Sequence, residues 1–118
     1  MSVILLVEDE VHVRLFLSEI LRSLNHDIRC APTAAAGVEA FKSERPDMVV
    51  LDIMLPDASG TAVLDQMRRL RPDVPVVMMS GHADENLAQA VRNRGAFEYL
   101  AKPFSVDRFV RVVSAALK

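Results

Sequence analysis

Glu8 and Asp9, Asp52, Ser80 and Lys102 each follow directly on a short strand-like stretch: VILLV, MVVL, VVMM and EYLA in turn. If these stretches are parallel strands of one sheet, the five side chains meet at one end of it. Three carboxylates, a hydroxyl and an ammonium are the equipment for holding a divalent cation and a phosphoryl group together. Two carboxylates about 4 Å apart repel by about 4 kcal/mol at an effective dielectric of 20, so such a cluster calls for a cation. All-oxygen ligands with several retained waters suit Mg2+ better than calcium. Lys102 supplies a mobile point charge for a phosphoryl oxygen, and Ser80 a hydroxyl donor for another. A carboxylate beside a metal and an ammonium can attack phosphorus and form an aspartyl phosphate. Asp52, alone at the end of its strand, is the candidate nucleophile, with Glu8 and Asp9 left to hold the metal. The phosphoryl group would add roughly −1.5 to −2 charges at neutral pH, enough to draw in Lys102 and Ser80 and bias a local two-state element.

The elements that must position these residues follow from hydrophobic period. Val3 to Val7 is an aliphatic run too short for a helix, as expected of a strand covered on both faces. Val13, Phe16, Leu17, Ile20, Leu21 and Leu24 then recur at helical spacing, with Asn25 to end that helix. A strand over Asp27 to Ala31 follows, then Thr33 as a helix cap and a helix containing Val38 and Phe41. Met48 to Leu51 reads as the third strand, and Val63, Leu64, Met67 and Leu70 as a third helical stripe. Val74 to Met79, Asp84 to Arg94, Phe97 to Ala101 and Val106 to Leu117 complete five βα units. Such alternation implies right-handed crossovers and a parallel sheet with helices on both faces. The first and third strands are the most continuously apolar and belong in the centre, which favours the order 2-1-3-4-5. This is a flavodoxin-like doubly wound α/β fold, with ligands expected at the carboxyl ends near the first and third strands.

The 118 residues suit one domain, 1–118, and are too few for two. With 51% hydrophobic and 25% charged residues the chain is globular in composition, and a formal charge of −2 argues against direct nucleic-acid binding. Nothing approaches a signal peptide or a membrane span, and Cys30 as the single cysteine offers neither a disulfide nor a thiolate cluster, so a cytoplasmic setting is expected. Cys30 reads as a small buried apolar residue. His12, His26 and His82 share no spacing that suits a transition metal and read as surface residues. Arg92, Arg94, Arg108 and Arg111 form either a solvated face or a surface for a partner or a homodimer.

The acidic pair Glu8-Asp9, Asp52 ending MVVLD, the IMLPDASG loop after it, Ser80 ending VVMMS, and Lys102-Pro103 after FEYLA together resemble the receiver domain of two-component response regulators. These motifs span the whole chain. The resemblance implies that Asp52 accepts a phosphoryl group from a sensor histidine kinase or phosphotransfer protein. It implies Mg2+ binding by Asp9, Asp52 and the backbone carbonyl of Met54, with Glu8 assisting through water, and phosphoryl binding by Ser80 and Lys102. Tyr99 matches the aromatic switch that turns inward as the Ser80 hydroxyl moves toward the phosphate. That movement reshapes the face built from the fourth helix, fifth strand and fifth helix, which controls an output domain or partner. A cis Lys102-Pro103 bond is also implied. Met54 and His82 fall where phosphate lifetime is tuned. Glu8 departs from the commoner aspartate. SGH after the fourth strand and GAFEYLAKPF are similar to receivers of enhancer-dependent transcription activators.

On this reading the protein is a phosphorylation-operated switch rather than an enzyme with an external substrate, catalysing only its own phosphorylation and dephosphorylation. It is either freestanding or the front of a larger regulator. A phosphohydrolase would need an aspartate at the position of Met54, and a flavin protein a Ser/Thr/Gly-rich loop after the first strand. The remaining alternative is a pseudo-receiver that binds partners without phosphate; it should lack one of the acids or the lysine, all of which are present here.

Overall fold

The computed structural model describes residues 2–81 and 84–118. Its elements run β1 (Val3–Val7), α1 (Val11–Ser23), β2 (Asp27–Ala31), α2 (Ala34–Glu44), β3 (Met48–Asp52), α3 (Gly60–Leu70), β4 (Val76–Ser80), α4 (Glu85–Asn93), β5 (Glu98–Ala101) and α5 (Val106–Ala116). All strand pairs are parallel, in the order β2-β1-β3-β4-β5, as expected for a doubly wound sheet.

The three central strands are apolar up to their carboxyl ends, where β3 closes on Asp52 and β4 on Ser80, because both of their faces are covered. Period-two alternation then sorts the side chains into two cores. Leu5, Val7, Val49, Leu51 and Met78 pack with Phe41 of α2, Val63 and Met67 of α3 and Val91 of α4. Ile4, Leu6, Val50, Val77 and Met79 pack with Leu17 and Leu21 of α1 and Phe109 of α5 on the other side. The register Leu6↔Val50, Val50↔Val77 and Val77↔Glu98 brings the carboxyl ends of β1, β3, β4 and β5 to one rim.

Helix starts are set by capping side chains. Glu10, Thr33, Ser59, Asp84 and Ser105 each accept one or more amides of the first turn that lack an intrahelical acceptor. Thr33 takes the Ala36 amide at 3.1 Å. Thr33→Ala is therefore expected to cost about 1 kcal/mol, read as a lower urea midpoint at unchanged slope. Asn25 turns the chain out of α1 in the left-handed region at φ 67°. Asp84, and not Ser80, caps α4, which leaves the Ser80 side chain buried at the rim.

Three sequence expectations need correction. Cys30 is exposed rather than buried, because β2 is an edge strand; its Sγ lies 3.3 Å from the Ser18 hydroxyl of α1. Phe16 and Leu24 share the helical period of the α1 core residues, yet Phe16 is 53% and Leu24 37% exposed. The helix touches the sheet along a narrower band than its apolar stripe, so the stripe's margins remain open. β4 begins at Val76, two residues later than the apolar run beginning at Val74, since Pro75 brings no N–H to a ladder.

Candidate phosphoryl and metal site

The rim assembles as the strand ends require. Glu8 follows β1, Asp52 closes β3, Ser80 closes β4, and Lys102 follows β5. Glu8, Asp52 and Ser80 are buried, Asp9 is exposed, and Lys102 lies partly covered between them. One carboxylate oxygen each from Glu8, Asp9 and Asp52 lies within 4.8 Å of the others. That is close enough for one small hard cation to be shared.

Lys102 is the counter-charge within the protein. Its Nζ donates to Glu8 Oε1 at 2.6 Å and to Asp52 Oδ2 at 2.7 Å. The second oxygens are held by backbone: Glu8 Oε2 accepts the Glu10 amide at 3.1 Å, and Asp52 Oδ1 the Met54 amide at 2.9 Å. Both carboxylate planes are thus oriented before any ligand arrives. Burial pushes the Glu8 carboxyl above its ordinary range, against the opposing pull of Lys102. Burial acts to lower the Lys102 ammonium, but its hydrogen bonds to Asp52 and Glu8 outweigh that and hold it raised.

Arg14 was not among the residues singled out from sequence. Its guanidinium donates to the carbonyls of Glu8 at 2.8 Å and Asp9 at 3.3 Å, bracing the turn that presents the acidic pair. The one signal for it was an arginine about one helical turn into α1, indistinguishable in sequence from a solvated charge. Met54 sits on the loop directly after Asp52 with its side chain 62% exposed. The Tyr99 ring is buried, on the register position beside Met78. The Lys102-Pro103 peptide bond is cis. His82 lies outside the described residues. Of the arginines noted on the last two helices, Arg92 pairs with Glu98 of β5 at 2.6 Å and Arg94 with Asp65 of α3.

A groove of about 500 Å³ opens beside the rim, lined by Val13, Phe16 and Leu17 of α1 and by Lys102, Pro103 and Phe104. Its lining is mostly apolar, and Phe104 stacks on Phe109 at 5.6 Å between ring centroids.

A five-stranded, doubly wound parallel sheet that carries three acids and a bridging lysine on its carboxyl rim defines a class, the α/β domains of flavodoxin-like fold with an acidic site at the strand ends. Comparison with known proteins narrows it. The sequence pattern of the response regulator receiver domain matches residues 4–114. The chain is 36% identical over 117 residues to the nitrogen assimilation regulatory protein NtrX of Azorhizobium caulinodans, covering 98% of this chain and 26% of that protein. It is 32% identical over 116 residues to the DNA-binding transcriptional regulator NtrC of Escherichia coli K12, covering 98% and 25%. The receiver domain of NtrX from Brucella abortus superposes with a TM-score of 0.92 at 38% identity, covering 97% of each chain. A CheY-like receiver domain from Methanospirillum hungatei gives 0.94 at 27%, covering 99% of this chain and 94% of its own. The chain belongs to the response regulator receiver domain family, and it spans about a quarter of the length of the curated relatives it matches. Among the described residues no helix is long and apolar enough to cross a membrane.

Proposed function

We propose that this chain is a single phosphoacceptor domain, 1–118, that takes a phosphoryl group from a histidine kinase onto Asp52 with magnesium and passes the change to its α4-β5-α5 face. The observation that carries the reading is the Lys102 ammonium bridging Glu8 and Asp52, with the Asp9 carboxylate in reach of both. Three acids and one lysine leave the rim short of positive charge, and the all-oxygen donor set fits a hard divalent ion. Asp9, Asp52 and the Met54 carbonyl would hold magnesium, with Glu8 acting through water. Bound there, magnesium supplies charge neutralisation for the phosphoryl oxygens.

The chemistry required of the protein itself is short. Met54 and Lys102 hold the Asp52 carboxylate in place. An Asp52 oxygen attacks phosphorus as the P–N bond of the donor phosphohistidine breaks; the electron pair stays on the imidazole nitrogen, which later takes up a proton. Lys102 then exchanges a carboxylate oxygen for a phosphoryl oxygen, and the Ser80 hydroxyl donates to another. The groove between α1 and Phe104 would seat the phosphodonor protein, since it is mostly apolar and ends at Lys102. On the far side, Tyr99 borders a cavity of about 420 Å³ shared with Asp84, Arg92, Phe104 and Arg108. Displacement of Ser80 at the end of β4 would reach the output face through this cavity, with Met54 and His82 setting how long the phosphoryl group persists. The domain works in the cytoplasm, either alone or at the front of a larger regulator resembling NtrC or NtrX, and its output face serves an output domain, a partner or a second copy.

Intact-protein mass spectrometry after incubation with acetyl phosphate tests the reading. A gain of one phosphoryl group that requires magnesium supports it. No gain in a folded sample overturns it in favour of a phosphate-independent binding module.

Magnesium should also stabilise the fold in a pH-dependent way. The raised Glu8 carboxyl contributes stability below its ordinary value of 4.5 and loses it as pH rises through the folded value. The metal offsets that loss only where Glu8 is ionised. The rise in melting temperature with millimolar magnesium should be larger at about pH 8 than at about pH 5. An equal rise at both, with Glu8 seen by NMR to titrate between them, would remove Glu8 from the metal's surroundings.

A further inference from the structure

We infer that Asp57 is a positioning residue for the magnesium site: it ties the loop carrying Met54 to the first turn of α2 and so holds the pocket's open side in shape. This rests on the metal reading above.

The loop after Asp52 is closed at its base, where the Gly60 amide donates to the Ile53 carbonyl at 2.6 Å and Met54 pairs with Ser59 in an antiparallel bridge. Its tip is held differently. Asp57 Oδ1 accepts the Ala34 amide at 2.8 Å and Oδ2 the Ala35 amide at 3.0 Å, across more than twenty residues of sequence. Each carboxylate oxygen has its own donor, and the negative charge lies at the positive end of α2, so the tie is charge-assisted. The two amides hold the Asp57 carboxyl below its ordinary range. Asp57 is exposed, where water would satisfy it equally well, so its two-point seat is not forced by burial.

The tie matters because of what stands at its other end. Three residues before Ala34, the Ala31 carbonyl accepts the Glu8 amide at 3.0 Å. Hydrogen bonds and short chain segments therefore close a ring around the pocket. From Asp52 the ring runs through Met54 to Asp57, across to Ala34, back to Ala31, on to Glu8, and through Lys102 to Asp52. Both ends of the ring at Lys102 will rearrange when ligands bind. Asp57 is the link that stays and fixes the position of the loop that carries Met54.

The test is the magnesium dissociation constant, measured by amide NMR titration on the wild-type chain and on Asp57→Ala, Asp57→Asn and Thr33→Ala. Loss of a partner that orients a metal ligand typically weakens binding by 10-fold or more, so Asp57→Ala should weaken it about 10-fold. Asp57→Asn keeps one acceptor oxygen and should fall between. Thr33→Ala loosens the same helix turn without touching the loop, and should match wild type. Faster exchange of the Ala34 and Ala35 amides in Asp57→Ala would report the broken tie in the absence of metal. Wild-type affinity in a folded Asp57→Ala chain overturns the positioning role and leaves the metal reading standing. Equal weakening by Thr33→Ala overturns it too, since a looser α2 would then explain both. No binding by wild type overturns the metal reading and this inference with it.

Discussion

Asp52→Asn is expected to take up no phosphoryl group from acetyl phosphate at any magnesium concentration, while remaining folded. The substitution is nearly isosteric, and its amide oxygen can still accept the Met54 amide that Asp52 Oδ1 accepts at 2.9 Å. What it removes is the nucleophile, because an amide oxygen carries too little charge to attack phosphorus. Glu8 is expected not to substitute, because burial raises its carboxyl and disfavours the charged form that would attack. Asp9 is exposed at the mouth and lacks the two-sided hold that orients Asp52. Stability should be little changed, since the variant loses one ion pair with Lys102 but also one of three crowded acids. Mass spectrometry of the intact variant beside wild type, with circular dichroism to show the fold, decides the matter. Uptake at the wild-type rate would place the acceptor on another residue. Ser80→Ala is expected to lower the rate without abolishing it, as the hydroxyl only donates to the transferred group.

Gly60→Ala should be the most damaging single methyl group in the chain. A Cβ at Gly60 would stand 2.2 Å from the Asp52 carbonyl oxygen and 2.6 Å from the Ile53 Cα, backbone atoms at and just after the end of the strand that carries the acceptor. Neither can yield without moving the end of β3 against β4, just past which the Ile53 amide donates to the Met79 carbonyl at 2.8 Å. Overpacking against rigid backbone costs at the upper end of the usual range, about 3 kcal/mol or more, or about 10 °C in melting temperature for a chain of this length. The same strain opens the loop base, so magnesium binding should weaken as well. Gly81→Ala is the internal control, since an added Cβ there meets nothing within 4 Å, and it should stay within about 0.5 kcal/mol of wild type. Equal melting temperatures for the two variants would show that the loop base moves freely.

The alternation of strand and helix periods was readable from sequence because burial is a local pattern. A strand covered on both faces, such as the one from Met48 to Leu51, must be apolar, and a helix on a sheet must repeat its apolar residues every three or four positions. Right-handed crossovers then left few topologies, and the order 2-1-3-4-5 followed from which strands were most apolar. The candidate site was readable for the same reason: Glu8, Asp52, Ser80 and Lys102 stand at strand ends, and parallel strands bring their ends together whatever the loops do.

What the tertiary structure alone decided are contacts that depend on the exact register of distant segments. Lys102 reaches Glu8 across 94 residues and Asp52 across 50, and only the placement of β5 beside β4 gives the ammonium both oxygens at once. Asp57 looks like any turn aspartate until α2 is seen to begin against it. Arg14, Phe16 and Cys30 each carry an ordinary local signal that the packing overrides. Arg14 is turned onto the carbonyls of the acidic pair, Phe16 is left beside a groove, and Cys30 is exposed on an edge strand. Local pattern specifies which face of an element is buried. Which polar atom answers which is settled only when the elements meet, because hydrogen bonds act over about 3 Å and the distances between elements are not encoded in any one of them.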